Sequence, residues 1–236
     1  MNEQWMNPQT ASAEQVEEIQ RSFVLKVYSW MMAGLMITGI MALFTVNYEP
    51  LLQFVFATRF ALLGLVAVQL GLVVWLSARV EKMSAATATM IFLGYSALTG
   101  VTLSMIFLVY TAASLATTFL ATAGMFGAMS VYGYVTKKDL TGLGTFLMMG
   151  LVGIVIASVV NIFLNNSIVY WITSYIGIFI FVGLTAYDTQ KIKMMSQLSL
   201  EGGEAEQKGA IIGALRLYLD FINLFLLMLR VMGNRR

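Results

Sequence analysis

Two carboxylic acids inside hydrophobic segments are the side chains of this 236-residue chain that are most able to do chemistry. Asp188 follows Tyr187 near the end of one apolar segment, and Asp220 stands in the Leu217–Asn223 stretch of the last one. A carboxylate in hydrocarbon costs at least ~2.5–3.5 kcal/mol, so such groups face a protein interior, a partner or a water path. These two acids are therefore the first candidates for a functional site.

The depth of the two acids in the membrane decides whether they can meet. Counted back from Lys191 at ~1.5 Å per residue, Asp188 lies about 5 Å inside its helix. Counted from Gly209, Asp220 lies about 16 Å inside, which would separate the carboxyls. If Arg216 instead marks the interface by extending its side chain to water, Asp220 is only about 6 Å deeper and close to Asp188. The alternative is an ion pair between Arg216 and Asp220, which are four residues apart on one helix.

Facing carboxyls would give the site two properties. In a low dielectric they cannot both ionise cheaply, so they would share a proton and respond to pH. With Asn223 and Thr185 nearby they would also attract a hard cation such as Ca²⁺. Two carboxylates make a poor Ca²⁺ cage, which favours brief passage over storage. We therefore expect transient Ca²⁺ at Asp188 and Asp220, with Asn223 and Arg216 tuning the pair.

The elements that must position these acids are membrane spans. The chain is 59% hydrophobic and only 11% charged, whereas soluble proteins are about 25% charged. Seven apolar runs are each long enough to cross a ~30 Å hydrocarbon core. The predicted spans are Phe23–Val46, Phe60–Ala78, Ala85–Tyr110, Ser114–Val135, Leu143–Leu164, Val169–Thr189 and Gly209–Met232. The fold class is thus an all-α membrane protein with one transmembrane domain over residues 23–236.

The first 22 residues are polar and acidic, and they predict a mobile cytoplasmic N-terminal tail. A short helix over Ala13–Ile19 is the alternative. Tyr48-Glu49-Pro50 predicts a turn after the first span, because these residue types interrupt helices.

The orientation follows from the distribution of positive charge, which is enriched in cytoplasmic loops. The loops opposite the N-terminus contain only Arg59. The basic residues on the N-terminal side are Arg21, Lys26, Arg79, Lys82, Lys137, Lys138, Lys191, Lys193 and Lys208. This asymmetry predicts a cytoplasmic N-terminus. Seven crossings would place Arg235 and Arg236 outside, so a re-entrant last segment is the alternative.

Composition and motifs also exclude several functions. The chain has no Cys and no His, which removes thiol chemistry, His-based triads and the usual zinc motifs. We expect no cofactor, and no nucleic acid partner, because the basic residues are scattered along the loops. Tyr187-Asp188 matches the first motif of intramembrane aspartyl proteases. Asp220, however, lacks the preceding Gly-x-Gly of their second motif, so we expect no enzyme and keep such a protease as the less favoured alternative.

Several segments strongly resemble the Bax inhibitor-1 family, specifically its bacterial inner-membrane branch. These segments are Gly183–Lys191, Leu217–Phe225 with the following Leu229-Arg230, and Ser96–Leu103. The resemblance implies two three-helix layers around a central C-terminal helix, and a pH-sensitive Ca²⁺ leak gated by an aspartate pair that matches Asp188 and Asp220. It also implies that Arg79 is the switching arginine that moves onto the first of these acids when the pore opens. Arg216 departs from the family, whose members usually carry a small or hydroxyl residue there.

The resemblance leaves a second function open. Some bacterial members of the family modulate a membrane-anchored AAA protease, and the tail before Phe23 would then be the binding segment. The expected partners are accordingly membrane lipid, Ca²⁺ or other cations, and, in this alternative, such a protease.

Overall fold

The computed structural model of the protein describes residues 13–56, 59–196 and 202–236. Eight α-helices account for most of these residues. They are α1 (Ala13–Asn47), α2 (Glu49–Phe56), α3 (Arg59–Arg79), α4 (Ala85–Val109), α5 (Ala112–Val135), α6 (Thr141–Leu164), α7 (Ser167–Met195) and α8 (Gly203–Met232). All of them except the short α2 are long and apolar enough to cross a membrane. The prediction of an all-α, integral multi-pass membrane protein with seven spans is confirmed.

Helix α1 begins earlier than the first predicted span. It starts at Ala13 and continues without a break to Asn47, so residues 13–22 are helical, and the alternative of a helix over Ala13–Ile19 is confirmed as part of a longer one. Glu14 in the first turn complements the positive end of the helix dipole. The Lys26 ammonium also lies 3.0 Å from the Glu206 carboxylate, which ties this part of α1 to the first turns of α8. Residues 1–12 of the predicted tail lie outside the described residues.

The predicted break after the first span is present at Tyr48, whereas Glu49 and Pro50 of the predicted turn begin a short helix. Helix α1 ends at Asn47, and α2 begins at Glu49. The Tyr48 carbonyl accepts hydrogen bonds from the N–H groups of Leu51 and Leu52, each at 3.1 Å. Pro50 is tolerated here because the first residues of a helix need no intrahelical N–H partner. The sequence analysis did not predict α2.

The chain divides into two compact units. The first contains Met1–Thr102 and Lys191–Leu215, and the second contains Leu103–Gln190 and Arg216–Arg236. Helices α4, α7 and α8 therefore each contribute residues to both units.

Small residues bring α1 and α4 together in the first unit. The Thr38 hydroxyl donates to the Ser96 carbonyl at 2.9 Å. Gly100 lies so close to the Thr38 carbonyl that a Cβ atom at Gly100 would overlap it. Close backbone approach at small residues is the usual means of association between membrane helices, and Ser96 and Gly100 provide it here. At Gly124 and Gly153, by contrast, an added Cβ atom would have nothing within 4 Å.

The C-terminal helix is the most enclosed of the seven spans. In the apolar 18-residue stretch of this helix, 67% of the residues are buried, compared with 6% for α3 and 0% for α6. This difference agrees with a central C-terminal helix. Near its start, Glu204 accepts a hydrogen bond from the Ala85 N–H at 2.8 Å. Beyond its end, the Arg236 N–H donates to the Val109 carbonyl at 2.9 Å. Helix α8 is thus continuous and long enough to cross a membrane, and the re-entrant alternative remains an alternative prediction.

Candidate functional site

The second unit brings Asp188 of α7 and Asp220 of α8 together in a buried polar cluster. The two residues are 7% and 5% exposed. Their carboxyls lie within hydrogen-bonding range of each other. Arg216 Nη1 is 3.4 Å from Asp188 Oδ1, so the ion pair of Arg216 joins α8 to α7. The predicted alternative, an ion pair along α8 with Asp220, does not form, although Arg216 still acts on Asp220 electrostatically.

One oxygen of Asp220 is left without a donor. Oδ2 is fully buried and has no hydrogen-bond partner. An ionised carboxylate only accepts hydrogen bonds, and burying an acceptor without a donor is costly. A full negative charge on this unsatisfied carboxyl would be costlier still, so the local chemistry disfavours two fixed negative charges.

Two glycines set the position of α7 immediately before Asp188. A Cβ atom at Gly133 of α5 would overlap the Ala186 carbonyl, and one at Gly144 of α6 would overlap the Tyr187 ring. The backbone of α7 therefore lies directly against α5 and α6 at this point. Sequence reasoning missed both glycines, because spacing within a single helix does not show which neighbour it meets.

Gln190 also positions the site and was not singled out from the sequence. Its side-chain oxygen accepts a hydrogen bond from the Leu140 N–H at 2.9 Å. Its amide nitrogen donates to the Lys138 carbonyl at 2.8 Å. One side chain, two residues after Asp188, thus holds the α5–α6 connection. A polar residue at the end of the Gly183–Lys191 motif was the available signal.

The remaining predicted residues make other contacts or belong to the other unit. The Thr185 hydroxyl donates to the Phe181 carbonyl of its own helix at 2.7 Å. The Asn223 amide donates to the Leu219 carbonyl at 2.8 Å and lines a cavity that neither acid lines. Arg79 is an exposed residue at the end of α3 in the first unit. The tuning role of Asn223 and the switching role of Arg79 remain predictions.

The donor set limits what metal chemistry the cluster can perform. Within the described part of the chain, no group of three or more His, Cys, Asp or Glu residues could hold a metal ion. Two carboxyls accompanied by the Arg216 guanidinium offer less negative charge than a resident Ca²⁺ needs. The cluster is better suited to brief contact with a cation than to storing one.

Asp139, in the connection between α5 and α6, is an acid outside the spans. Hydrogen bonds from the Thr141 hydroxyl and N–H lower the pKa of this exposed carboxyl. Its stabilising contribution is present above the unfolded-state pKa and is lost only as the pH falls through the lower, folded value. Asp139 therefore stays ionised between pH 5 and 8, and the chain has no His to titrate there.

Comparison with known proteins places this architecture in a family. The model of the family described as "Inhibitor of apoptosis-promoting Bax1" matches residues 20–236, which include all seven spans except the first turns of α1. The chain belongs to the Bax inhibitor-1 family. It is 51% identical to the Escherichia coli inner membrane protein YbhL over 97% of this chain and 98% of that protein. It is 44% identical to the protein RP147 of Rickettsia prowazekii over 96% of this chain and 95% of that protein. It is 45% identical to a protein of Borreliella burgdorferi over 92% of this chain and 94% of that protein.

Proposed function

We propose that this protein is a pH-responsive cation leak, most readily for Ca²⁺, of a bacterial inner membrane with its N-terminus in the cytoplasm. The observation that carries the proposal is the buried cluster of Asp188, Asp220 and Arg216. Acids inside membrane spans are costly and mark ion or proton paths. The inner-membrane location rests on the relative in E. coli.

In the described conformation Arg216 holds Asp188. A cation at 3.4 Å from Oδ1 competes with any Ca²⁺ for that carboxylate, so the ion pair must open before Asp188 can contact a passing ion. Protonation of the Asp188–Asp220 pair weakens the attraction for Arg216 as well as for Ca²⁺. The same proton therefore controls both the ion pair with Arg216 and the affinity of the aspartate pair for Ca²⁺. Arg79 is the proposed partner of Asp188 once the ion pair between Arg216 and Asp188 has opened.

The test is Ca²⁺ flux into liposomes between pH 5 and 8. The variants are Asp188→Asn and Asp220→Asn, and the control is Asp139→Asn, an exposed acid that does not titrate in this range. We expect a pH-dependent leak in wild type and in the control, with a slope of at most about tenfold per pH unit for one shared proton. Both site variants should lose this slope. Identical flux and pH profiles in all four proteins would refute the proposal.

A second candidate function is the modulation of a membrane-anchored protease. The observation that favours it is the N-terminal part of α1, where Glu14, Glu17 and Glu18 are all exposed on a helix. A helix that presents three acids is suited to a basic surface on a partner. Replacing the three acids with Gln should abolish co-purification with the protease and leave Ca²⁺ flux unchanged. Unchanged co-purification would contradict this candidate.

We propose no enzymatic activity for the aspartate pair. Arg216 already occupies Asp188, whereas an aspartyl dyad needs its two carboxyls free to act on water and substrate. Cleavage of a transmembrane peptide that is lost in both Asn variants would be the result in favour of a protease.

A further inference from the structure

The second unit contains a cavity of about 760 Å³ that is separate from the aspartate cluster. It lies where α6 ends, α7 begins and α8 ends. Its polar lining includes Asn161, Asn165, Asn166, Asn223 and Arg230, and its apolar lining comes mainly from α6. Arg230 is the one charged residue among the lining residues that the structure describes, and no acid is among them. A lining with this excess of positive charge is complementary to an anionic ligand.

The contacts of Arg230 are made to neutral groups. Its Nη1 donates to the Ser174 hydroxyl at 3.3 Å. Its guanidinium carbon lies 4.7 Å from the centre of the Tyr170 ring. These contacts orient the guanidinium at the cavity without neutralising it. An anionic group entering the cavity would provide the missing counter-charge.

The neighbouring asparagines add hydrogen-bond donors. The Asn161 side-chain oxygen accepts from the Asn166 N–H at 2.9 Å. The Asn166 side-chain oxygen accepts from the Ile168 N–H at 2.8 Å. Since the amide oxygens are used by the backbone, the NH₂ groups are what these side chains can offer to a ligand. A guanidinium and amide donors without an acid form a site for an anion.

The apolar part of the cavity opens toward the bilayer. Val155, Val159 and Ile162 line it and are also 54%, 51% and 69% exposed. They belong to α6, and the apolar 18-residue stretch of this helix has no buried residue. The lining from Leu151 to Ile162 follows α6 for about 16 Å at ~1.5 Å per residue. This length and chemistry suit an extended hydrocarbon chain that enters from the membrane.

Aromatic residues place the polar end of the cavity at the membrane interface. Tyr170 and Trp171 pack with their ring centres 5.7 Å apart, and Trp171 and Tyr175 do so at 6.0 Å. Trp and Tyr concentrate at the level of the lipid headgroups. Arg230, in contact with Tyr170, is therefore at the depth of the lipid phosphates.

We infer that this cavity binds one anionic phospholipid. Its phosphate is held by Arg230 and the NH₂ groups of Asn161 and Asn166, and one acyl chain lies along α6. Free phosphate has the same anionic chemistry but cannot use the apolar part of the cavity. A phospholipid that binds from the bilayer thus needs both the polar and the apolar end of the cavity. Its binding can be measured without measuring ion flux.

The first test is native mass spectrometry of the full-length protein in a neutral detergent. The probes are phosphatidylglycerol, a diacylglycerol with the same chains, and inorganic phosphate. Arg230→Gln is compared with Arg236→Gln, which removes an exposed charge outside the cavity lining. We expect wild type and Arg236→Gln to retain one phosphatidylglycerol, with retention in Arg230→Gln falling by about tenfold or more, the loss of one charge-assisted contact. Equal retention in the two variants, or equal retention of diacylglycerol, would overturn the inference.

The second test fills the apolar part of the cavity and leaves Arg230 intact. Val155→Trp projects into the cavity lining, whereas Val152→Trp alters an equally exposed residue of α6, 57% exposed, outside that lining. We expect only Val155→Trp to lose phosphatidylglycerol while keeping its unfolding temperature. Retention by both Trp variants, or displacement of the lipid by inorganic phosphate alone, would show that the acyl chain is not bound here.

Discussion

At the level of single residues, Arg216 is the side chain that most alters the chemistry of the aspartate cluster. It lies on α8 one turn before Asp220, yet it pairs with Asp188 on α7 at 3.4 Å. Its side chain is 40% exposed and that of Asp188 only 10%, so water screens the cation more than the acid. The ion pair is therefore partly screened by water on the Arg216 side and enclosed on the Asp188 side.

Replacing Arg216 with Gln should release Asp188 and raise the Ca²⁺ leak. Because the ionised carboxyl loses its cation, the midpoint of the pH response should move upward by about one pH unit. Flux into liposomes across pH 5 to 8 measures both effects. Arg216→Lys keeps the charge and should retain the wild-type midpoint. A midpoint that is the same in Arg216→Gln and wild type would show that the ion pair does not control the response.

At the level of the elements, the position of Asp188 depends on how closely α7 approaches α5 and α6. Gly133 permits contact between α5 and the Ala186 carbonyl, and Gly144 permits contact between α6 and the Tyr187 ring. Gln190 then fixes the α5–α6 connection through Leu140 and Lys138. The acid is thus held by contacts on both sides of it along α7.

Gly133→Ala should destabilise the protein by about 1–3 kcal/mol, because its methyl group has no room beside the Ala186 carbonyl. The matched control is Gly127→Ala on the same helix, where nothing lies within 4 Å of the added Cβ atom. The control should be neutral or slightly stabilising, since Ala is the better helix former. Thermal unfolding in detergent measures the difference. Equal unfolding temperatures for the two variants would contradict this account of α5–α7 packing.

At the level of the whole molecule, the course of the last helix determines where the C-terminus lies. Glu204 near the start of α8 binds the first residue of α4, and Arg236 binds Val109, the last residue of α4. If the N-terminus is cytoplasmic, as we propose, seven crossings would put Arg236 outside despite its charge. Two further contacts hold the tail beside the start of α5, from the Thr111 N–H to the Asn234 carbonyl at 3.2 Å and from the Asn234 N–H to the Ser114 hydroxyl at 2.8 Å.

The proposed topology can be tested with single cysteines, because the chain has none of its own. In intact cells, a membrane-impermeant thiol reagent should label Tyr48→Cys and Arg236→Cys. It should label Lys137→Cys only after the cells are opened. Protection of Arg236→Cys in intact cells, together with labelling of Tyr48→Cys, would contradict a full seventh crossing.

The sequence by itself determined the number of spans, the helical class, the family and the identity of the two acids. These properties depend on local composition and on motifs within one segment, since about 20 consecutive apolar residues can satisfy their backbone in a bilayer only as a helix. The same local signals missed α2 and the early start of α1, where the segment is amphipathic or charged and no apolar run marks it.

Only the tertiary structure decided which groups meet. Three features join residues from different helices: the ion pair of Arg216 with Asp188, the close contact of Gly133 with Ala186, and the cavity around Arg230. The 3.6-residue period shows which residues share a face of one helix, but not the rotation and offset of that face against its neighbours. For the same reason, counting along α8 could not show whether Asp220 reaches the level of Asp188, whereas the structure places both acids in one buried cluster.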